Sequence, residues 1–196
     1  QDMFRRQGEN WIEVTGPDGA VVHMGEAQID DDDRRHLTVA LAGLVVWVVF
    51  LNGGTLAINS AFDRDEGDIG YLKAPPPPPR YLAVFAFLLM AVGQMLAFRL
   101  QRGFGFAYAI CFLMSVLYSV PPIRLKAVAG LDWVINMVGF GTLTPYAGYV
   151  ITGAAPSLPH RLVLLSFMPL FASLYPLTQL YQFEEDRRRG DRSRCH

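Results

Sequence analysis

The sequence predicts an all-α, multi-pass transmembrane helical bundle, and three observations carry that prediction. Of 196 residues, 52% are hydrophobic, only 18% are charged and the mean hydropathy is +0.24, whereas soluble domains carry roughly 25% charged residues. Five stretches run for about 20 residues, or nearly so, without Asp, Glu, Lys or Arg, which is the length a helix needs to cross hydrocarbon. The charges are gathered into short segments between these stretches, so the net charge of −1 says little about partners and offers no basic face for nucleic acid.

Residues 1–36 are polar, with no run that could span a bilayer or form the core of a signal peptide. Within them, Trp11 to Val22 reads as a hairpin around Pro17-Asp18-Gly19, or as disorder, because an isolated two-stranded ribbon is marginal in water. Asp30 to Asp33 reads as a solvated, disordered like-charge run. The first span covers Leu37 to Phe62. The loop after it ends at Ala74 in five prolines, Pro75 to Pro79, a stiff polyproline II spacer ahead of the second span, Tyr81 to Phe98. The third span, Gly103 to Ile123, runs into Pro121-Pro122. The fourth begins at Trp133 and ends near Thr152, where Gly153 to Pro159 break the helix, and the fifth runs from Leu162 to Phe183. Five spans place the termini on opposite sides. Cys111 lies mid-span and Cys195 in the tail, too far apart along the membrane normal for a disulfide.

Lys and Arg in the short loops set orientation. One side carries Arg64, Lys73, Arg80, Arg124, Lys126, Arg187, Arg188, Arg189, Arg192 and Arg194; the other carries Arg99, Arg102 and Arg161, with Arg5, Arg6, Arg34 and Arg35 in the N-terminal tail. The first set is the larger, which puts its side in the cytoplasm.

That side also holds two acidic clusters, each where an uncharged stretch ends. Asn59 precedes Asp63, Asp65 and Asp68, and Gln182 precedes Glu184, Glu185 and Asp186. Helical residues four apart share a face, so Asn59 stacks with Asp63 and Gln182 with Asp186. Mg2+ prefers hard oxygen ligands and is usually held by one or two carboxylates plus substrate phosphates. Either cluster alone reads equally well as wet, helix-capping acids. Together they flank Tyr118-Ser119-Val120-Pro121-Pro122-Ile123-Arg124-Leu125-Lys126, whose proline pair stops a helix and whose Arg and Lys suit phosphate oxygens. The three segments then describe one site: a diphosphate held by bridging metal and basic side chains at the inner interface, with an apolar tail between helices. Metal charge stabilises diphosphate as a leaving group. Aromatic faces shelter the resulting allylic cation, and Phe62, Tyr108, Tyr118, Phe140, Tyr146 and Tyr149 are the candidates. Among mid-span amides, Gln94 reads as a helix-to-helix hydrogen bond. Asn136 is a candidate cavity residue because it precedes Gly139-Phe140-Gly141-Thr142-Leu143-Thr144-Pro145, which permits close packing and a kink.

In order and in membrane placement, Asn59, Asp63, Tyr118, Ser119, Arg124, Lys126, Asp186 and Gly190 resemble the motifs of the UbiA superfamily of intramembrane prenyltransferases. The resemblance covers about Leu37 to Cys195. It implies a helical bundle with a central cavity and Mg2+-dependent transfer of an isoprenoid from an allylic prenyl diphosphate to a lipophilic, often aromatic, acceptor. It also implies an integral protein of the bacterial inner membrane, engaged in isoprenoid biosynthesis. The implied metal ligands are Asp63, Asp65, Asp68, Glu185 and Asp186, with Asp63, Asp68 and Asp186 at the centre of catalysis. Asn59, Lys73, Tyr118, Arg124, Lys126, Asn136 and Gln182 are the implied substrate contacts.

The chain departs from the family pattern in three places. The acid that follows the first Asn is Ser60 here, the last acid of the first motif is displaced to Asp68, and the first acid of the second motif is Gln182, leaving Glu184 or Glu185 to share the metal with Asp186. Members usually have about nine spans, so the sequence also reads as a fragment, and an inactive chain that keeps the motifs is the alternative. A cation transporter is a weaker alternative, because it needs ionisable groups along a path near the bilayer centre.

Overall fold

The computed structural model describes residues 11–15, 21–25, 31–63, 76–128 and 130–179, with side chains described from 31 to 174. It comprises two compact units, Gln1–Leu37 and Thr38–His196. In the first, β1 (Trp11–Thr15) and β2 (Val21–Gly25) pair antiparallel, with Trp11 opposite Gly25 and Thr15 opposite Val21.

From Asp31 onward the described residues are helical apart from the segments that connect the helices. A 33-residue apolar helix runs from Asp31 to Asp63 and consists of α1 (Asp31–Val45), a π-helical stretch (Val46–Asn52) and α2 (Gly53–Asp63). Helical dihedrals at Val45 and Gly53 keep it unbroken. It starts six residues before the Leu37 expected from hydropathy, so Asp31, Asp32 and Asp33 are exposed residues of the first helical turn rather than coil. Their negative charge complements the positive end of the helix dipole.

After α2, α3 (Leu82–Leu100) and α4 (Arg102–Ser119) are joined through Gln101, whose backbone is extended and whose side-chain oxygen accepts a 2.7 Å bond from Phe104 N–H. Here α4 ends at Ser119, earlier than the expected Ile123, because Pro121 and Pro122 lack the N–H that another turn needs. A 3-10 turn (Leu125–Ala127) leads to α5 (Leu131–Val138), a second π-helical stretch (Gly139–Leu143) and α6 (Thr144–Val150). The last helix among the described residues is α7 (Leu158–Gln179).

Among the described residues, three helices are long and apolar enough to cross a membrane: Asp31–Asp63, Leu82–Leu100 and Arg102–Ser119. The stretch expected as a fourth span is helical from Leu131 to Val150, α5, the second π turn and α6 following one another through helical dihedrals at Val138 and Thr144, and α7 contributes a shorter apolar helix, Leu158–Leu174.

Packing follows from small residues. A Cβ on Gly93 of α3 would stand 2.2 Å from Tyr108 Oη and 2.5 Å from Phe50 Cβ, so only glycine lets α3 approach both neighbours. Gly141 does the same for the second π turn, where a Cβ would meet Met168 Cα at 3.0 Å and Phe167 O at 3.1 Å on α7. Gln94 donates 3.0 Å to the Gly105 carbonyl and Tyr108 Oη 3.1 Å to the Met90 carbonyl, tying α3 antiparallel to α4. Ile58, Ala86, Met90 and Tyr108 are fully buried between these helices, while Leu56, Phe85, Leu88 and Phe106 face outward. A belt of outward apolar side chains is what lipid, unlike water, accommodates.

Candidate functional site

α2 and α4 run parallel and in register: Thr55 pairs with Ser115 at 2.8 Å, and Asn59 accepts a hydrogen bond from Ser119, both across sixty residues. Asn59 and Asp63 therefore stand one turn apart at the end of α2, beside the point where α4 stops. The segment released by Pro121 and Pro122 then folds back over them. Arg124 adopts a left-handed backbone conformation (φ 39°, ψ 60°) that β-carbon sterics disfavour, and residues held this way gather at binding sites. Its guanidinium donates to Asp63 Oδ1 at 3.4 Å. Two residues on, Lys126 Nζ donates to Asp63 Oδ1 and, at 3.3 Å, to Asn59 Oδ1. The Lys126 side chain is 12% exposed and that of Arg124 46%, so lysine is the inner cation of the cluster.

Below this cluster lies a cavity of about 260 Å3. Trp47, Leu51, Thr55 and Asn59 line it from the first long helix, Cys111, Ser115 and Tyr118 from α4, and Asn136 and Phe140 from α5 and the second π turn. Asn59 thus belongs to both the ionic cluster and the cavity. Both π-helical stretches contribute lining residues. An extra residue per turn rotates the following side chains around the axis, and such turns recur at functional sites.

The structure brings Asn59, Asp63, Tyr118, Arg124, Lys126 and Asn136 around one cavity mouth and wall. Asn136 Nδ2 also donates 2.8 Å to the Asp132 carbonyl on its own helix. Asp65, Asp68, Lys73, Gln182, Glu184, Glu185 and Asp186 lie outside the described residues. Among the described residues, no three His, Cys, Asp or Glu side chains come together as a metal cluster. The donors that are described, the Asn59 amide oxygen and the Asp63 carboxylate, are hard oxygens already engaged by cationic groups. They fit Mg2+, which needs only one or two protein carboxylates when phosphates complete its shell.

Of the six aromatic candidates, Tyr118 and Phe140 line the cavity. Tyr108 does not: its ring is fully buried and its hydroxyl is spent on the Met90 carbonyl. Tyr149 packs on His160, 5.0 Å between ring centroids, and Phe62 and Tyr146 are not among the lining residues. The aromatic residue that sequence reasoning missed is Trp47, 7% exposed, packed against Phe104 and edge-on to Tyr108 at 5.7 and 6.2 Å. Thr55, Ser115 and Asp132, a buried acid in the first turn of α5, were also missed. The four-residue spacing of Thr55 to Asn59 and of Ser115 to Ser119 was the available signal for the first two.

The chain is similar to three solved structures of a UbiA homologue from Archaeoglobus fulgidus. The form bound to Cd2+ superposes with a TM-score of 0.64 at 24% identity, over 79% of this chain and 54% of that one. The form bound to DMAPP and Mg2+ gives 0.61 at 23% identity, over 80% and 56%. The third gives 0.59 at 23% identity, over 80% and 54%. This chain spans just over half the length of those structures, and at such identities the likeness concerns the fold. No curated protein matches the chain. The model of the UbiA prenyltransferase family matches residues 24–194. With nearly the whole chain covered and the fold shared, this integral membrane protein belongs to the UbiA prenyltransferase family.

Proposed function

We propose that the chain binds an allylic prenyl diphosphate, head group at Asn59, Asp63, Arg124 and Lys126 and tail in the cavity beneath, and transfers the isoprenoid to a lipophilic, aromatic acceptor. One observation carries this reading: Asn59 is shared between a cluster of opposite charges and an apolar cavity, so a single ligand with an anionic head and an apolar tail satisfies both. The Mg2+-bound and DMAPP-bound relative supports the same ligand class.

Each residue then has a chemical task. Lys126 and Arg124 turn from Asp63 towards phosphate oxygens, Lys126 as a point charge and Arg124 as a planar fork. Asp63, with Asp65, Asp68, Glu185 and Asp186 as further ligands, would hold Mg2+, whose charge would offset that of the departing diphosphate. Asn59, fixed by Ser119, orients the head group. The allylic C–O bond breaks, its electron pair leaves with the diphosphate, a ring carbon of the acceptor attacks the cation, and the ring loses a proton. Tyr118 and Phe140 exclude water and offer their faces to the cation. Lys73, Gln182 and Asn136 complete the substrate contacts; the excess of Lys and Arg around the cluster supports a cytoplasmic orientation for it, and the membrane proposed is a bacterial inner membrane.

The test is Mg2+-dependent binding of geranyl diphosphate to the purified chain, beside Asp63→Ala and Asp186→Ala. Binding that needs the metal and drops in both variants is expected; equal binding by all three chains sinks the assignment.

A further inference from the structure

The cavity has a direction and an end. Its lining on the first long helix descends from Asn59 through Thr55 and Leu51 to Trp47, twelve residues or roughly 18 Å of helix. The polar pairs lie at the upper end, Asn59 with Ser119 and Thr55 with Ser115. At the lower end Trp47 is wedged against Phe104 and Tyr108, and Tyr108 is itself locked by its bond to Met90 and by the bare backbone of Gly93. A chain entering beside Asn59 therefore meets an indole backed by two rings that have no room to move.

Size sharpens the point. A dry apolar cavity of about 150 Å3 holds one benzene, six carbons. At that ratio, the 260 Å3 present here holds an aliphatic chain of about ten carbons. We infer that the cavity accepts an allylic chain of about this length, two isoprene units, and that Trp47 is the residue that sets the limit. This rests on the assignment of the cavity to the prenyl tail. The indole is suited to such a role rather than to a polar one. Its N–H is buried without a hydrogen-bond partner among the described residues, so nothing but packing holds the side chain.

The test measures dissociation constants for allylic diphosphates of five, ten, fifteen and twenty carbons, with Mg2+, in detergent. Wild type, Trp47→Ala, Trp47→Phe and Cys111→Phe are compared. Partitioning of long chains into detergent is common to all four proteins, so the readouts are affinity ratios within each protein, twenty-carbon to ten-carbon for the Trp47 variants and ten-carbon to five-carbon for Cys111→Phe. Trp47→Ala raises that ratio at least tenfold and Trp47→Phe raises it less, both with unchanged affinity for inorganic diphosphate. Cys111→Phe, which fills the cavity wall, lowers ten-carbon binding at least fivefold relative to five-carbon binding. Unchanged ratios in the Trp47 variants, or an unmoved preference in Cys111→Phe, overturn the inference. If Trp47→Ala does not fold, Trp47→Phe and Cys111→Phe decide it. Loss of the Mg2+ and Asp63 dependence of head-group binding is a different outcome, and it refutes the proposed function itself.

Discussion

Replacing Lys126 by Met tests the ionic cluster at its best-defined point. The substitution keeps the apolar stem and removes one ammonium that contacts both Asp63 and Asn59 and is 12% exposed. In the proposed complex that ammonium faces diphosphate oxygens. A hydrogen bond to a charged group contributes about 1.5–3 kcal/mol, so the loss corresponds to roughly a 10- to 100-fold rise in Kd, at about 1.4 kcal/mol per tenfold. Arg124→Met provides the scale. That side chain is 46% exposed and its bond to Asp63 is 3.4 Å long, and exposed pairs contribute about 0–1 kcal/mol, so its loss costs less than about fivefold. Isothermal titration of geranyl diphosphate into the three proteins at fixed Mg2+ gives the ranking. A Lys126→Met constant within twofold of wild type, or a larger effect from Arg124 than from Lys126, refutes the reasoning that burial makes lysine the inner cation.

Other expectations follow from the packing. Gly93→Ala puts a methyl into Tyr108 and Phe50 and lowers thermal stability in detergent by about 1–3 kcal/mol, whereas Gly148→Ala, exposed in α6 with nothing within 4 Å of the new methyl, raises the midpoint or leaves it in place, because alanine is the better helix former. Ser115→Ala removes the Thr55 bond and costs about 0.6 kcal/mol, typical of interhelical hydrogen bonds in membranes; thermal midpoints read it. Gln94→Leu removes the bond to the Gly105 carbonyl but also a buried amide oxygen that has no partner among the described residues, so its destabilisation stays under about 1 kcal/mol. Arg124→Gly relieves a left-handed backbone at the expense of phosphate affinity: the unfolding midpoint holds or rises while inorganic diphosphate binding weakens.

The helical class and the ends of α3 were legible because lipid-facing helices must be apolar on nearly every side, and charge alone then marks their boundaries. The π turn at Gly139–Leu143 sits where small residues and Pro145 suggested a kink. The one at Val46–Asn52 had no such warning, since its Val, Trp, Phe and Leu suit an ordinary helix equally well. Asn59, Asp63, Arg124 and Lys126 were readable as chemistry because oxygen ligands and cations are scarce in such a chain. Trp47 was not, because aromatic residues are abundant in it and only the parallel register of α2 and α4 shows which ring closes the cavity. Tyr108 was misplaced for the same reason.

In the proposed complex the ionic cluster and the cavity hold the two ends of one ligand. Photolabelling with a geranyl diphosphate analogue carrying a diazirine at its tail tests it most directly, by peptide mapping with and without Asp63→Ala. Labels are expected on Trp47, Leu51 or Cys111 that depend on Mg2+, are displaced by geranyl diphosphate and are lost in the variant. Labels spread over the outward faces of α3 and α7, or cavity labels undiminished in Asp63→Ala, contradict it.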